Sequence, residues 1–309
     1  AFAWVLRKFM NISGSEGLVA AGNIFMGMTE SPVLIKNYLP TMNRSEIFLV
    51  MVSGMGTIAG SVMGTYIGML GGTDPAAKVL FATHLLSASV MAVPGSIVLA
   101  KMLCPQTEEA TDHVAISGKE KENSNILDAI SSGTVTGVKL MTNIAAMLLV
   151  FISLVALANY ITEGVIGRYT GLNDWIVKIT DGKAQGLTFQ FILGVITSPF
   201  MWLIGVPSQD IMLVGSLLGQ KTILNEFVAY FQLQQWKDAG LFMYEKSILM
   251  STYILCGFAN ISSIGILLGG LGVLAPEKRG LISRIGVPAM IGGALVSVLS
   301  ATIIGMILG

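Results

Sequence analysis

Charged residues are scarce in this sequence. Only 12% of the 309 residues are Asp, Glu, Lys or Arg, the two signs balance at a formal net charge of zero, and no run of basic residues exceeds two. The chain therefore lacks the basic patch typical of nucleic-acid binding, and we set that class aside. Because 53% of the residues are hydrophobic, the composition predicts a polytopic membrane protein, embedded in a lipid bilayer, rather than a large soluble domain.

Cysteine and histidine are equally rare, with two of each. Cys104 and Cys256 stand in apolar surroundings without a CxxC spacing, so we predict small packing residues and neither a disulfide nor a zinc site. His84 is alone on an apolar segment and is interpreted as a packing or interface residue, with a proton-handling group as the alternative. His113 is interpreted as a solvated residue. The chain starts without Met or a signal peptide, from which we expect an N-terminally truncated protein.

The stretch GNIFMGMTESP at residues 22–32 places polar side chains within an apolar region. A carboxylate such as Glu30 is expensive inside a bilayer unless a polar cavity or a partner receives it. Pro32 lacks an N–H and disfavours helical geometry at Ser31. The pattern predicts a helix that breaks and restarts, lining a cavity.

Along the rest of the chain, apolar segments alternate with polar breaks. Residues 1–10 predict an amphipathic helix at the membrane interface, and 104–125 predict a polar linker. Residues 126–139 predict an amphipathic lead-in helix and 140–161 a plain span. A second polar stretch follows at 168–186. Two segments, 17–39 and 187–232, predict re-entrant hairpins, the second with a break at 205–207. Discontinuous helices are predicted at 46–70 and 247–273, and plain helices at 79–103 and 281–308.

Two blocks share one plan: a hairpin with one intramembrane Glu, a helix broken by small polar residues, and a plain helix. We divide the chain into a first repeat with its interfacial helix (1–103), a linker with an amphipathic helix and a scaffold span (104–186), and a second repeat (187–309). Because one span lies between the repeats, the second repeat would enter the membrane from the face opposite to the first. This predicts inverted repeats as in secondary transporters. Basic residues at Lys278, Arg279 and Arg284 predict a cytoplasmic loop and an external C-terminus.

The interrupted segments carry the candidate ligands. Asn260 and Ser263 are three residues apart on a helix and share a face, so with Glu226 they suit the vicinal hydroxyls of a sugar, while Phe258 adds an apolar or stacking surface. A flat heterocycle suits a second group of residues, Met28, Thr29, Glu30 and Val62. Free carbonyls of unwound segments suit a hard monovalent cation. Each of these residues could also serve packing alone.

Several segments resemble signatures of the concentrative nucleoside transporters, in the order of that family. They are GNIFMGMTESP, SPVLIKNYLP, GQKTILNEFVAY at 219–230, CGFANISSIGILLGG at 256–270 and LAPEKRG. The resemblance covers essentially the whole chain and implies a homotrimer in the plasma membrane, the inner membrane in a bacterium. Each protomer would combine a scaffold with a transport domain that moves like an elevator and imports nucleosides with sodium. It implies transport rather than enzymatic catalysis, and no covalent cofactor.

The resemblance also assigns roles to individual residues. The nucleobase side comprises Gly27, Met28, Thr29, Glu30 and Val62. The ribose side comprises Glu226, Phe258, Asn260 and Ser263. The sodium ligands would be Asn23, Thr57, Ile58 and the carbonyl of Met26. Met28 stands where several members have Gln, so one hydrogen bond to the base is expected to be missing. We also expect that the opening helices of the family are not part of this sequence.

Three alternatives stay open from the sequence. Proton coupling competes with sodium coupling, because an intramembrane Glu can carry a proton. An intramembrane serine protease would use Ser53 as nucleophile and His84 as base, which must come within hydrogen-bond reach. A passive channel or facilitator could use the same fold.

Overall fold

The computed structural model describes residues 6, 8–10, 12–109, 125–180, 182 and 184–309. Every regular element in that part of the chain is a helix, and the predicted all-α class is confirmed. The chain forms two compact units, one from Ala1–Val114 with Ile192–Gly309 and the other from Ala115–Phe191. The interfacial helix predicted at 1–10, the linker predicted at 104–125 and His113 fall largely or wholly outside the described residues.

The first block of the larger unit begins with a capped helix. The Ser13 hydroxyl accepts the N–H of Glu16, and the Glu16 carboxylate accepts the N–H of Ser13, a reciprocal arrangement that satisfies free donors at a helix start. The elements are α1 (Gly14–Gly22), a 3₁₀ turn (Ser31–Ile35), α2 (Arg44–Gly56), α3 (Gly60–Gly71) and α4 (Pro75–Leu103).

Two predictions for this block have different outcomes. The discontinuity predicted near Thr57 is confirmed, because α2 ends at Gly56 and α3 begins at Gly60. The second arm of the first hairpin was predicted to be a half-helix, and this is wrong: a short 3₁₀ turn with Pro32 in its first positions is followed by further turns. The proline restricts the residue before it and donates no N–H, which favours the tighter turn.

The second block repeats the plan behind a leading helix, α8 (Phe189–Leu203). The predicted break at 205–207 is confirmed, since α8 ends at Leu203. The predicted hairpin at 187–232 has a further break that was not predicted, at Leu224 and Asn225, and its two arms are Ile211–Ile223 and Glu226–Asp238. There Asn225 starts a new helix by accepting the N–H of Val228. The elements are α9 (Ile211–Ile223), α10 (Glu226–Asp238), α11 (Glu245–Leu255), α12 (Ile261–Leu274), a 3₁₀ turn (Pro276–Lys278) and α13 (Arg279–Ile307).

The smaller unit is built on one long helix, α5 (Ile126–Asn159), followed by a π-helical segment (Tyr160–Gly167) and two short helices, α6 (Arg168–Thr170) and α7 (Leu172–Ile179). The predicted division into a lead-in helix and a separate span is wrong, because α5 continues for 34 residues. No proline interrupts α5, so its backbone hydrogen bonds can run through. The polar stretch at 168–186 contains α6 and α7 rather than only loop.

Three helical segments of the described residues are long and apolar enough to cross a membrane. They are Arg44–Gly71, which includes the break between α2 and α3, then Pro75–Leu103 and Pro276–Ile307. The spans predicted at 46–70, 79–103 and 281–308 are therefore confirmed in length and composition.

Two hydrophobic cores in the larger unit mix elements of both blocks. One core joins α2 and α12, through side chains such as Met51 and Leu271. The other joins α3 to α10 and α11, through Tyr66, Tyr230 and Tyr253. Helices α4 and α13 contribute to both cores. Each discontinuous helix therefore has one half in each core, and the two blocks interlock.

The buried Asp210 fixes the start of the second hairpin. One carboxylate oxygen accepts the N–H of Met243 at 3.0 Å and the other that of Tyr244 at 3.1 Å. We expect Asp210→Ala to lower the free energy of unfolding by about 1–3 kcal/mol, because two backbone donors lose their partners. Thermal unfolding in detergent measures the effect, with Asp238→Ala at an exposed carboxylate as the control. Equal melting temperatures for the two variants would contradict this role.

Candidate functional site

Glu226 is the first residue of α10 and is buried. Its Oε1 accepts the hydroxyl of Tyr66 at 3.3 Å, and its Oε2 accepts the Nδ2 amide of Asn260 at 2.9 Å. The carboxylate also lies at the start of a helix, where the macrodipole favours negative charge. The structure thus brings a hairpin, the helix α3 and the second helix break together at one acidic side chain.

Asn260 is oriented by its neighbours. Its Oδ1 accepts the N–H of Ser263 at 2.9 Å, the hydroxyl of Ser263 at 3.0 Å and the hydroxyl of Ser262 at 2.6 Å. The Nδ2 donors therefore point to Glu226. The expected proximity of Asn260, Ser263 and Glu226 is confirmed, while their role as sugar ligands stays a prediction.

The two helix breaks meet. The N–H of Phe258 donates to the carbonyl of Thr57 at 3.2 Å. Gly257 has φ 156°, and a Cβ there would lie 2.9 Å from the carbonyl oxygen of Met55, so only glycine allows this approach. Phe258 is half-buried and packs against both hydrophobic cores. A change in backbone conformation at one break would therefore disturb the contacts of the other.

The first hairpin reaches the first helix break. The carbonyl of Phe25, which directly precedes Met26, accepts the N–H of Gly60, two residues after Ile58, at 3.0 Å. Asn23 is fully buried and donates from Nδ2 to the Ser53 hydroxyl at 2.9 Å.

One atom in this region lacks a partner. Among the described residues, Asn23 Oδ1 is buried without a hydrogen bond, although unpaired buried acceptors are rare and destabilising. The Thr57 hydroxyl donates to the Ser53 carbonyl at 2.9 Å, which leaves its oxygen lone pairs able to accept. Carboxamide, hydroxyl and carbonyl oxygens are the donors that a hard cation prefers. The residues predicted to bind sodium therefore fit a cation.

The residues predicted for a heterocycle are less concentrated. Met28 is buried against Gly54 of α2, and Thr29 is half-buried beside Gly270 of α12. Val62 precedes Tyr66 by four residues and so shares its face of α3, near Glu226.

Glu30 differs from Glu226 in its surroundings. It is exposed, and its carboxylate lies over Gly27, in the space that a Cβ there would occupy. In the described part of the chain no hydrogen bond links Glu30 to Glu226. The assignment of Glu30 to the nucleobase side and of Glu226 to the ribose side of one pocket stays a prediction.

Gly54 allows the first hairpin to approach α2. A Cβ at this position would lie 2.8 Å from Met28 Cβ and 3.3 Å from its Cα. Relief of this overlap would require the backbone at Met28 to shift. We expect Gly54→Ala to lower the free energy of unfolding by about 1–3 kcal/mol through overpacking. Thermal unfolding tests this, and Gly64→Ala, where a Cβ meets nothing within 4 Å, is the control. A stability unchanged in both variants would argue against a close hairpin contact.

Two buried residues of this region, one in the site and one beside it, had no predicted role. Tyr66 binds Glu226 across 160 positions of sequence, which no spacing pattern could reveal. Lys221 is completely buried in α9 and donates to the Ile254 carbonyl and the Ser297 hydroxyl. A lysine within an apolar segment was a visible signal, because intramembrane charges are rare and usually paired or functional.

The serine-protease alternative finds no support in the geometry. The Ser53 hydroxyl accepts from Asn23, and the hydrogen bond of His84 Nδ1 is to the Tyr253 hydroxyl at 3.1 Å. No hydrogen bond joins Ser53 and His84 in the described residues, so the nucleophile and base that the alternative needs are not paired.

The smaller unit has an open cavity of about 380 Å³ beside its π-helical segment. Asn159, Tyr160, Glu163, Arg168 and Asn173 are among its lining residues. None of the predicted ligand residues belongs to it.

Two family descriptions match the chain. Residues 84–305 match the Na⁺-dependent nucleoside transporter C-terminus, and residues 1–73 match the Gate family, described as nucleoside recognition. These ranges contain every residue singled out above as a candidate ligand.

Curated relatives of this chain are likewise described as transporters. An uncharacterized transporter of Haemophilus influenzae is 39% identical over 98% of this chain and 68% of its own length. The uncharacterized transporter YutK of Bacillus subtilis is 40% identical, over 97% and 69%. Sodium/nucleoside cotransporter 1 of Rattus norvegicus is 39% identical over 99% of this chain, which spans only 46% of that protein.

Solved structures show the same fold. CNTnw in an inward-facing substrate-bound state has a TM-score of 0.83 and 36% identity, covering 99% of this chain and 67% of that one. A CNTnw variant in an outward-facing state has a TM-score of 0.85 and 35% identity, covering 99% and 68%.

Proposed function

Because this chain belongs to the Na⁺-dependent nucleoside transporter family, we propose that it is a secondary active symporter that imports nucleosides together with sodium. The family is one of transporters, and its members are multi-pass membrane proteins rather than enzymes. The observation that carries the proposal for this chain is the buried Glu226 carboxylate, held by Tyr66 and Asn260 at a helix start.

The ribose would bind on the Glu226 side. A carboxylate held by two donors still has lone pairs for the vicinal hydroxyls of a sugar, and charge-assisted hydrogen bonds are the stronger class. Ser263 lies one turn into α12, next to Asn260. Phe258 lies directly before these residues and would close the pocket.

The base would bind on the side of the first hairpin, between Gly27, Met28, Thr29, Glu30 and Val62. Met28 offers an apolar thioether rather than a hydrogen-bonding amide. The base would therefore be held by packing at this position, with Thr29 and Glu30 as the polar contacts.

Sodium would bind at Asn23, Thr57, Ile58 and the Met26 carbonyl. The unpaired Asn23 Oδ1 supports this placement. A cation there would join the hairpin to the helix break, and Met26 directly precedes the base-side residues. Thr57 also accepts the N–H of Phe258, so the same ion would order both sides of the pocket. Coupling of this kind is reciprocal: nucleoside must strengthen sodium binding by the factor by which sodium strengthens nucleoside binding.

Proton coupling is the competing reading. Both Glu226 oxygens already accept hydrogen bonds, from Tyr66 and Asn260, and we assign this side chain to the sugar rather than to the coupling ion. Asn23 and Thr57 do not titrate. We therefore favour sodium as the coupling ion.

For alternating access we propose an elevator motion in a homotrimer of the plasma membrane, the inner membrane in a bacterium. The two repeats, 1–103 and 187–309, would form the transport domain, and 104–186 would belong to the scaffold. The division of the chain into compact units at Val114 and Ile192 supports this partition. The repeats would be inverted relative to each other, as in other secondary transporters.

Uptake into proteoliposomes tests the function. The intact protein is expected to accumulate labelled uridine or adenosine when an inward sodium gradient is imposed, and not with choline in place of sodium. A proton gradient without sodium is the control for the competing ion. Absence of gradient-driven uptake for both nucleosides would reject the proposal, and equilibration without accumulation would indicate a passive facilitator.

A further inference from the structure

Lys221 is a buried cation without a role in the site described so far. Its side chain is completely buried, and Nζ lies 2.8 Å from the Ile254 carbonyl oxygen and 2.9 Å from the Ser297 Oγ. Burying an ammonium group is expensive unless its surroundings supply compensating charge and acceptors. The position of Lys221 therefore needs an explanation.

The ammonium lies at the carbonyl end of a broken helix. Ile254 is the next-to-last residue of α11, and the Ser297 hydroxyl donates onward to the Cys256 carbonyl at 2.9 Å. Unpaired carbonyls give this end of a helix a partial negative charge, which favours a cation. Lys221 comes from the last turn of α9, the first arm of the second hairpin.

The first repeat has the same arrangement without the cation. Asn23 follows the last residue of α1, the first arm of the first hairpin, and reaches Ser53 near the carbonyl end of α2. The last turn of α1 carries no basic residue, whereas the last turn of α9 carries Lys221. There the hairpin presents a buried oxygen, Asn23 Oδ1, that has no partner among the described residues. One repeat thus presents an ammonium group where the other presents an unpaired acceptor.

We propose that Lys221 is a tethered cation, which takes in the second repeat the place that the first repeat leaves for sodium. The inference rests on the proposed sodium site at Asn23 and Thr57. It makes Lys221 the residue that sets the cation stoichiometry, at one sodium ion per protomer. The second hairpin then has a permanent cation between it and its broken helix, while the first hairpin has a cation at that place only when sodium is bound.

A substitution of Lys221 that removes the charge and supplies an oxygen should create a second sodium-binding site. Lys221→Asn leaves the acceptors of Ile254 and Ser297 in place and frees the volume of the longer side chain. Lys221→Met also removes the charge, but it fills that volume with apolar atoms. Lys101→Asn is a matched control at another lysine in the same unit, which pairs with Glu16.

The measurement is the thermal unfolding of the intact protein in detergent over a series of sodium concentrations, with choline holding the ionic strength constant. At saturating sodium, the slope of the free energy of unfolding against the natural logarithm of sodium concentration, in units of RT, equals the number of sodium ions that the folded protein binds. We expect about one for wild type, Lys221→Met and Lys101→Asn, and about two for Lys221→Asn. A slope of one for Lys221→Asn, or of two for Lys221→Met or Lys101→Asn, would overturn the inference.

The design separates this inference from the function on which it rests. A wild-type slope of zero would remove the proposed sodium site itself, whereas a wild-type slope of one with an unchanged Lys221→Asn variant would remove only the tethered cation. If Lys221→Asn does not fold at any sodium concentration, the amount of ²²Na⁺ bound per wild-type protomer in equilibrium dialysis decides. One ion supports the inference, and two overturn it.

Discussion

Replacing Glu226 by glutamine is expected to weaken nucleoside binding by about 10- to 150-fold, since hydrogen bonds to a charged group contribute about 1.5–3 kcal/mol and each 1.4 kcal/mol is tenfold. Glutamine keeps the shape of the side chain. Its carbonyl oxygen can accept from Asn260, and its amide can donate to the oxygen of Tyr66. We therefore expect the fold to be retained and the loss to fall on the ligand.

The measurement is calorimetric titration of uridine at saturating sodium, together with the melting temperature of each variant. Glu245→Gln is the matched control, because Glu245 is also the first residue of its helix but is exposed. Tyr66→Phe removes one donor to Glu226 and should weaken binding by a smaller factor. Wild-type affinity in Glu226→Gln would show that the carboxylate does not face the sugar.

A double-mutant cycle asks whether Tyr66 and Glu226 act together. If Tyr66 orients the carboxylate, the losses from Tyr66→Phe and Glu226→Gln will be less than additive, since removal of the charge takes away the group that Tyr66 positions. Additive losses would assign Tyr66 a separate role in packing, for which its stacking on Tyr230 at 4.1 Å between ring centroids is a basis.

The helix breaks show what a single sequence can reveal. The break after Gly56 was predictable because small and hydroxyl residues interrupt an apolar segment, and the break at 256–260 for the same reason. The break at Leu224 and Asn225 was missed. Its signal is Asn225 followed by Glu226, an N-cap and first-turn pair that starts a helix, but it lies within an apolar segment that reads as continuous.

Contacts between the repeats could not be predicted in the same way. Tyr66 meets Glu226, and Thr57 meets Phe258, across long stretches of sequence. These pairs follow from the interlocked cores, in which each half of a broken helix packs against a different part of the other repeat. Residue types can name the candidates, but tertiary packing decides which of them touch.

The two acidic residues make this limit concrete. Glu30 and Glu226 hold equivalent places in the predicted repeats, and the sequence gives no reason to treat them differently. Glu226 is buried with two donors, whereas Glu30 is exposed beside Gly27. The environment of a carboxylate depends on neighbours that come from other helices, and for this reason the difference between Glu30 and Glu226 could not be predicted from the sequence.

Replacing Asn23 by alanine is the second large prediction. It removes the unpaired Oδ1 from the proposed sodium site and with it the donor to Ser53. We expect the sodium concentration for half-maximal uptake to rise by about 10- to 150-fold, from the loss of one contact to a charged ligand. Uridine uptake into proteoliposomes at varied sodium measures the shift.

Two controls separate ligation from structure. Asn43→Ala removes another asparagine that caps a helix, α2, and should lower stability by about 0.5–2 kcal/mol without changing the sodium dependence. Ser53→Ala removes the partner of the Asn23 amide but keeps Oδ1, so its effect on sodium should be small. Because ligand coupling is reciprocal, Asn23→Ala must also weaken the enhancement of uridine binding by sodium. An unchanged sodium response in Asn23→Ala would show that the coupling ion does not bind at the first hairpin. The buried Oδ1 would then be explained by packing alone.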